Sequence, residues 1–443
     1  MEIIPLDFRE KWFDSRLAIR TFLVIIVLLA AVPLAVSYAT RSTARQMHAA
    51  TNHPARSYAG ATVVTEQTGN LVVYGENGAV RYVDSEYARY WDVDPTPSGA
   101  ASVLVGVTEH AADKTCGGEH CLRNVAVRMN LTTGERTRIF SRTYAGKGSN
   151  EWHDIDRINA THLVVAGIKR DRVFIANATT DRITWQWNAS EHYPPTSGGK
   201  PSDWTHINDV EVLPDGRIMV SVRNMDEVVF IEPGRGVREN WTLGEEGNHS
   251  ILHGQHNPDY IPKQRGGPAV LVADSHNNRV VEYQRRRGEW VQTWAWQDRR
   301  MQWTRDADRL PNGNTLIVDT NGDRVLEVNR TGRVVWSVPA TKPYDAERLG
   351  TGDESAGGPS IAKMDPEAKS VARPATAESG VSLGLAWSVV SSVVPPFLFN
   401  SMLFALPTWM EPRQILLVAV VAAGTLALVA AELYWRISAR QSG

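Results

Sequence analysis

Two stretches of this chain repeat one another. Val210-Glu-Val-Leu-Pro-Asp-Gly-Arg-Ile-Met-Val-Ser-Val222 and Ala307-Asp-Arg-Leu-Pro-Asn-Gly-Asn-Thr-Leu-Ile-Val-Asp319 each read as a short strand, a Pro-Asp-Gly or Pro-Asn-Gly turn and a second apolar strand. A third strand follows (Val228-Val-Phe-Ile231 or Val325-Leu-Glu-Val328), and a Trp-bearing fourth closes the unit. Looser copies begin near Trp152 and His253, with a period of about 50 residues, which is that of propeller blades. Ala61 to Asp84 and Ala101 to Phe140 carry enough alternation for two more. The expectation is an all-β chain whose residues 58–340 form a six-bladed β-propeller.

The rest of the chain surrounds that domain. Three runs are apolar enough to enter a bilayer: Thr21 to Ala39, Val381 to Leu406 and Ile415 to Ala431. Residues 1–45 read as a cytoplasmic N-terminus and transmembrane anchor, because Arg9, Lys11, Arg16 and Arg20 precede the first run. Residues 381–435 read as a transmembrane helical hairpin and 436–443 as its tail, although Arg436 and Arg440 oppose a tail on the outer side. Residues 341–380, rich in Gly, Ala, Ser and charge, read as a flexible linker. The protein is thus expected in the cell membrane, multi-pass, with an extracytoplasmic propeller. Seven Asn-x-Ser/Thr sites, at Asn130, Asn159, Asn177, Asn188, Asn240, Asn248 and Asn329, fit a glycoprotein. The sole cysteine pair, Cys116 and Cys121, fits a local disulfide, with zinc as the rival reading. Lys and Arg (47) balance Asp and Glu (49), which leaves no nucleic-acid footprint.

In a propeller, residues just before the innermost strand of each blade converge on the central channel. Registered on the turn, His153, Asn208, His256 and Arg305 fall at one equivalent position, with His206 two residues ahead of Asn208 and Arg223 after the next strand. Imidazole, amide and guanidinium groups around one axis suit an anion, one imidazole serving as nucleophile and the others as donors to developing charge. Each histidine could equally be a polar cap on the next blade, and three together could bind a metal, though no metal ligand set is assigned. Trp152, Trp204 and Trp303 precede the axial positions, where an aryl group could stack; most of the 15 Trp are inter-blade packing.

These motifs resemble the arylsulfotransferase family of exported, nucleotide-independent sulfotransferases. Gly254-Gln-His256-Asn-Pro is similar to the family's segment around its transiently sulfated histidine, His206-Ile-Asn208 to its His-x-Asn pair, and Glu151-Trp-His153-Asp to its earlier histidine, with Arg223 at about the family's spacing. The resemblance implies a sulfuryl transfer from an aryl sulfate ester to a phenolic or other hydroxyl acceptor. His256 would form a sulfohistidine, while His153, His206, Asn208 and Arg223 hold the sulfuryl oxygens and assist the phenolate, and no cofactor is called for. Arg305, Trp204, Trp152 and Trp303 would contact substrate. The competing classes are a noncatalytic exported binding or scaffold propeller and a metal-dependent propeller hydrolase or lyase.

Overall fold

The computed structural model describes residues 6–48, 58–96, 101–112, 115–117, 120–145, 151–298, 300–364, 371–373, 394, 396–407, 410 and 414–441. Six sheets, antiparallel except where Val371–Arg373 adds in parallel to the outer edge of the fifth, form a six-bladed β-propeller, each blade running from an innermost strand outward. The innermost strands are Pro343–Arg348, Arg89–Pro95, Trp152–Arg157, Ile207–Val212, His256–Ile261 and Thr304–Arg309. The turn after the fourth and sixth of these needs a left-handed residue, and Gly216 (φ 84°) and Gly313 (φ 82°) supply it without a Cβ clash. This is why the two repeats share Pro-Asp/Asn-Gly.

The ring closes on a composite blade. Thr62–Glu66 pairs on one side with Asn70–Tyr74 and on the other with Pro343–Arg348, so the two ends of the domain lie in one sheet. This corrects the expected linker at 341–380. Its first part is the innermost strand of this composite first blade, and Gly350 to Met364 packs beneath the blades, where Ile361 is buried in the core between the fifth and sixth. Its composition hid the strand because Pro-Tyr-Asp-Ala-Glu-Arg alternates polar and apolar over only six residues.

Innermost strands of neighbouring blades splay apart and cannot pair as a sheet, so their buried backbone N–H groups need other acceptors. Carboxylates of the preceding blade provide them. Asp345 accepts from Val93 N (2.7 Å), Asp92 from Ile155 N (3.2 Å), Asp154 from Val210 N (2.6 Å), Glu211 from Tyr260 N (2.7 Å) and Asp306 from Ala346 N (3.3 Å). Between the fifth and sixth blades, Ser355 donates to Asp259 and accepts from Arg309 N (2.7 Å). Apolar layers between the sheets complete the core, for example Phe140, Trp152 and Phe174.

Cys116 and Cys121 form a disulfide, with Cα atoms 5.8 Å apart, at the hairpin of the second blade. The Asn-x-Ser/Thr sites have a local structural cause. Asn130, Asn159, Asn177 and Asn329 each use Oδ1 to accept the N–H two residues on, closing Asx turns between strands.

The chain divides into two compact units, the propeller (His48–Ala377 with Pro396–Phe404) and the remainder. The second unit has two helices long and apolar enough to cross a membrane, within Leu6–His48 (Ser15–Ala39) and at Ile415–Gln441. They run antiparallel, since Arg20 near the start of one pairs with Glu432 near the end of the other. Of the expected C-terminal hairpin, the structure describes the second arm, Ile415–Gln441, and only the end of the first. Residues 381–393 lie outside the described residues, and Pro396–Phe404 is a nine-residue helix that belongs to the propeller. At 1.5 Å per residue it is roughly 14 Å long, about half a hydrocarbon core, and its Phe399, Asn400 and Leu403 are buried.

Candidate active site

Each innermost strand opens with a β-bulge, a register break at Trp91, His153, Asn208, Asn257, Arg305 and Tyr344. A bulge turns consecutive side chains toward the same side. Matching the strands by their partners puts six residues at one level of the channel: Trp91, His153, Asn208, His256, Arg305 and Tyr344. Two residues earlier the backbone is left-handed in four blades, at His206 (φ 50°), Gly254 (57°), Trp303 (54°) and Lys342 (48°). For non-glycine residues this conformation is uncommon and marks a constrained site. It swings His206 in beside the others.

The three histidines meet. His153 and His206 ring centres are 5.2 Å apart, and His206 and His256 are 6.5 Å apart. Their hydrogen bonds assign different duties. His206 Nδ1 lies 2.6 Å from Asp203 Oδ1 and its Nε2 lies 3.0 Å from Arg223 Nη1. A carboxylate can only accept and a guanidinium can only donate, so His206 is neutral with its proton on Nδ1 and its lone pair engaged. His153 Nδ1 meets Tyr344 Oη at 3.0 Å and its ring stacks on Trp91 at 4.5 Å. His256 Nδ1 lies 2.8 Å from Ser275 Oγ and 3.2 Å from the Gly254 carbonyl, which fixes the proton on Nδ1. Its Nε2 is buried with no hydrogen-bond partner among the described residues, a lone pair directed into the channel. Asn208 Nδ2 donates to the Gln255 carbonyl at 2.9 Å, tying the fourth blade to the backbone beside His256, and leaves Oδ1 unpartnered.

Burial and cationic neighbours set the charges. His256 and His153 are held well below the ordinary histidine range by burial, then by Arg305 and Arg223 or the neighbouring histidines. His206 is pushed down to about 4 by burial and Arg223, which outweigh Asp203. Burial lowers Arg305 to about 10, so it remains cationic at neutral pH, as does Arg223. The result is neutral imidazoles beside two guanidinium groups, a site for an anion.

The aromatic expectations divide. Trp303 is near the site, with its ring 5.9 Å from His276 and 4.8 Å from the Arg305 guanidinium carbon. Trp204 is half-buried and donates to the Ser197 carbonyl at 2.8 Å, packing beside the fourth blade. Trp152 is not at the axis. It is buried against Phe140 and Phe174, 5.7 Å from each, with Nε1 3.2 Å from Tyr144 Oη. His153 faces inward, and its regularly paired neighbour Trp152 points the other way, into the blade interface. Trp91, Tyr344, Asp203 and Ser275 belong to the site and were not singled out from the sequence. Among the described residues, neither carboxylate set close enough to share an ion includes a histidine.

The helix Pro396–Phe404 lies over this end of the channel at the fifth, sixth and first blades. Lys342 Nζ donates to the Leu403 carbonyl (3.3 Å) and Asn321 Nδ2 to the Asn400 carbonyl (3.1 Å), while Asn400 Nδ2 reaches Asn278 Oδ1 at 3.4 Å.

Residues 180–341 match the family model described as Arylsulfotransferase (ASST), which covers the fourth to sixth blades and with them His206, Asn208, Arg223, His256 and Arg305. The match supports an arylsulfotransferase-type function in general. No curated protein matches the chain. Among solved structures, a Bacteroides caccae protein of unknown function is similar at 11% identity and TM-score 0.46, covering 65% of this chain and 97% of that one. A Pseudomonas aeruginosa periplasmic gluconolactonase is similar at 13% and 0.44, covering 66% and 99%. The virginiamycin B lyase of Staphylococcus aureus is similar at 10% and 0.35, covering 56% and 68%.

Proposed function

We propose that this protein transfers a sulfuryl group from an aryl sulfate ester to a phenolic or other hydroxyl acceptor through a sulfohistidine on His256. The observation that carries the reading is the difference among the three histidines. Only His256 pairs a proton-fixed Nδ1 with an unpartnered Nε2, while His206 has spent both nitrogens. In the first half-reaction the Nε2 lone pair attacks sulfur, and the S–O bond to the aryl group breaks with its electron pair leaving on the phenolate. That phenolate takes a proton from solvent. Arg223 and Arg305 face the charge on the transferring oxygens. In the second, an acceptor hydroxyl attacks sulfur and gives its proton to His153, and the N–S pair returns to Nε2. Each half needs positioned donors more than a strong base, which suits neutral imidazoles.

The same reading includes the membrane. Antiparallel spans put Arg16 and Arg20 at the same end as Arg436 and Arg440, and basic ends favour the cytoplasmic side. The propeller, lying between the spans in sequence, is then extracytoplasmic, consistent with its disulfide and with glycans on its Asn-x-Ser/Thr turns. The donor and acceptor therefore come from outside the cytoplasm.

The test is intact-mass analysis of the detergent-purified chain after brief exposure to an aryl sulfate, beside His256→Ala. A gain of about 80 Da on the wild type alone, one SO3 group, supports the sulfohistidine. A folded wild type with no adduct and no released phenol overturns it.

A further inference from the structure

Below the histidine level the channel is walled by acids. One and three residues after each mouth position the innermost strands carry Asp or Glu, as in Asp306 and Asp308 after Arg305, with Asn257 the one exception. Holding the blades together explains one oxygen of many of these groups, as described above. It does not explain the rest. Asp94 Oδ2, Asp209 Oδ2, Asp308 Oδ2 and Glu347 Oε2 are buried without a hydrogen-bond partner, on residues 2–6% exposed. Unpaired buried carboxylate oxygens are costly, and a crowd of them cannot ionise without a counter-charge.

Among the described residues, protein cations do not fill that need. Arg309 borders the cluster, but its one hydrogen-bonded guanidinium nitrogen, Nη2, goes to Glu282 at 2.9 Å, and its buried Nε and Nη1 reach no carboxylate of the column. Arg265 reaches only the Ser355 carbonyl, at 2.8 Å. The carboxylates instead converge on one another. Asp259, Asp306 and Asp308 each offer an oxygen within 4.8 Å of the others, and Asp94, Asp156 and Asp353 do the same. Two oxygens that share one calcium at 2.3–2.6 Å can be at most about 5 Å apart, so this spacing is what a common ion requires. Asp209 stands outside both sets, and its unpartnered Oδ2 belongs to a carboxylate that feels both Asp259 and Asp306.

We propose that the propeller channel binds a hard divalent cation, calcium by its oxygen-only donors, at Asp259, Asp306 and Asp308, with a second position at Asp94, Asp156 and Asp353. Soft metals are disfavoured because no sulfur or imidazole joins either set. Calcium suits the site better than magnesium, because crowded carboxylates on a rigid barrel replace most of the water that magnesium retains. The first position would join the fifth and sixth blades from inside, and the second would join the second and third blades to the segment carrying Asp353. The ion also cancels the negative column beneath Arg223 and Arg305, a consequence that rests on the anion-transfer reading above.

The experiment uses the full-length chain in detergent. After purification with calcium and removal of free ion, elemental analysis is expected to find calcium at one or two equivalents per chain. Chelation should lower the melting temperature by several degrees, and calcium should restore it more fully than magnesium. Asp308→Asn should lose most of that calcium response. In chelator it should melt above the wild type, because it removes one repelling charge, and in calcium below it. A purely structural carboxylate would not produce this crossing. Asp94→Asn repeats the test at the second position should Asp308→Asn not fold, and His256→Ala should keep the whole calcium response, separating this site from the transfer chemistry. Identical melting in chelator and calcium with no bound metal, or a calcium response unchanged in both Asp variants, overturns the proposal.

Discussion

Arg223 Nη1 donates to His206 Nε2 across 3.0 Å, and so it removes from chemistry the imidazole nitrogen that would otherwise compete with His256. The pair behaves as one anion-binding unit whose orientation Asp203 fixes from the far side. Replacing its members should therefore have a different kinetic signature from replacing the nucleophile. His256→Ala is expected to abolish both phenol release and the mass adduct. His206→Asn should still form the adduct, but more slowly by roughly 100-fold, because Arg223 loses the imidazole that aims it at the transferring group. Single-turnover kinetics with a chromogenic aryl sulfate checks both.

The pH dependence follows from the depressed histidines. A lone pair is available above the folded-state pKa, and here that lies below the ordinary 6.5, with His206 at about 4 and His256 and His153 also lowered. Activity should stay level as pH falls from 8 through 6.5 and decline only below that range, with His206, whose Nε2 must stay unprotonated to hold Arg223, titrating at about 4. An acid limb centred near 6.5 in kcat/KM would mean that the imidazoles are solvated and the site is not as dry as described.

Asp203→Asn tests the tautomer assignment. The amide can still accept from Nδ1 but carries no charge, so the His206–Arg223 arrangement loses its anchor. Phenol release should fall about tenfold or more, with melting little changed, because Asp203 is partly exposed and lies outside the core. A fall in melting temperature without a change in rate would place Asp203 among structural residues.

Arg309 and Glu282 form an ion pair with both side chains fully buried. Glu282 also accepts the Ile361 N–H at 2.9 Å, so the pair fastens the segment after the last strand to the fifth blade. Arg309→Met leaves that carboxylate unpaired and should cost about 3–5 kcal/mol. The double change Arg309→Met with Glu282→Gln should recover much of the loss. Chemical denaturation followed by Trp fluorescence reads both.

Lys342 holds the end of the helix Pro396–Phe404 through the Leu403 carbonyl. Lys342→Met should free that helix by about 1.5–3 kcal/mol, the scale of a hydrogen bond to a charged group. Amide exchange should accelerate by about tenfold or more across 396–404 while the blade strands stay protected.

The blade count was legible because Pro-Asp-Gly and Pro-Asn-Gly mark the same turn in two copies and looser copies repeat their spacing, which brought His153, Asn208, His256 and Arg305 into register. Tyr344 and Trp91 were missed for two reasons. Their blades lack the marker turn, and Tyr344 sits in a stretch whose composition resembles a linker. A sharper signal was present: Trp91-Asp-Val-Asp, His153-Asp-Ile-Asp, Asn208-Asp-Val-Glu, Arg305-Asp-Ala-Asp and Tyr344-Asp-Ala-Glu share one pattern, an acid one and three residues on. Trp152 was misread because it was placed at the axis for being next to His153, although neighbouring residues in a strand point to opposite faces. Asp203 and Ser275 were invisible because loops, not strand pattern, bring them to the histidines.

The composite blade has a consequence for how the protein is made. Thr65 and Asp345, hydrogen-bonded at 3.1 Å, are separated by almost the whole domain, so the ring cannot shut until the ribosome has delivered its last strand. Until then five blades wait as an open arc with an unsatisfied edge at each end, the arrangement in which strands from two chains exchange most readily. Late delivery of Pro343–Arg348 also means that Tyr344 reaches His153 only at the final step of assembly, so an incompletely closed molecule lacks part of its transfer site.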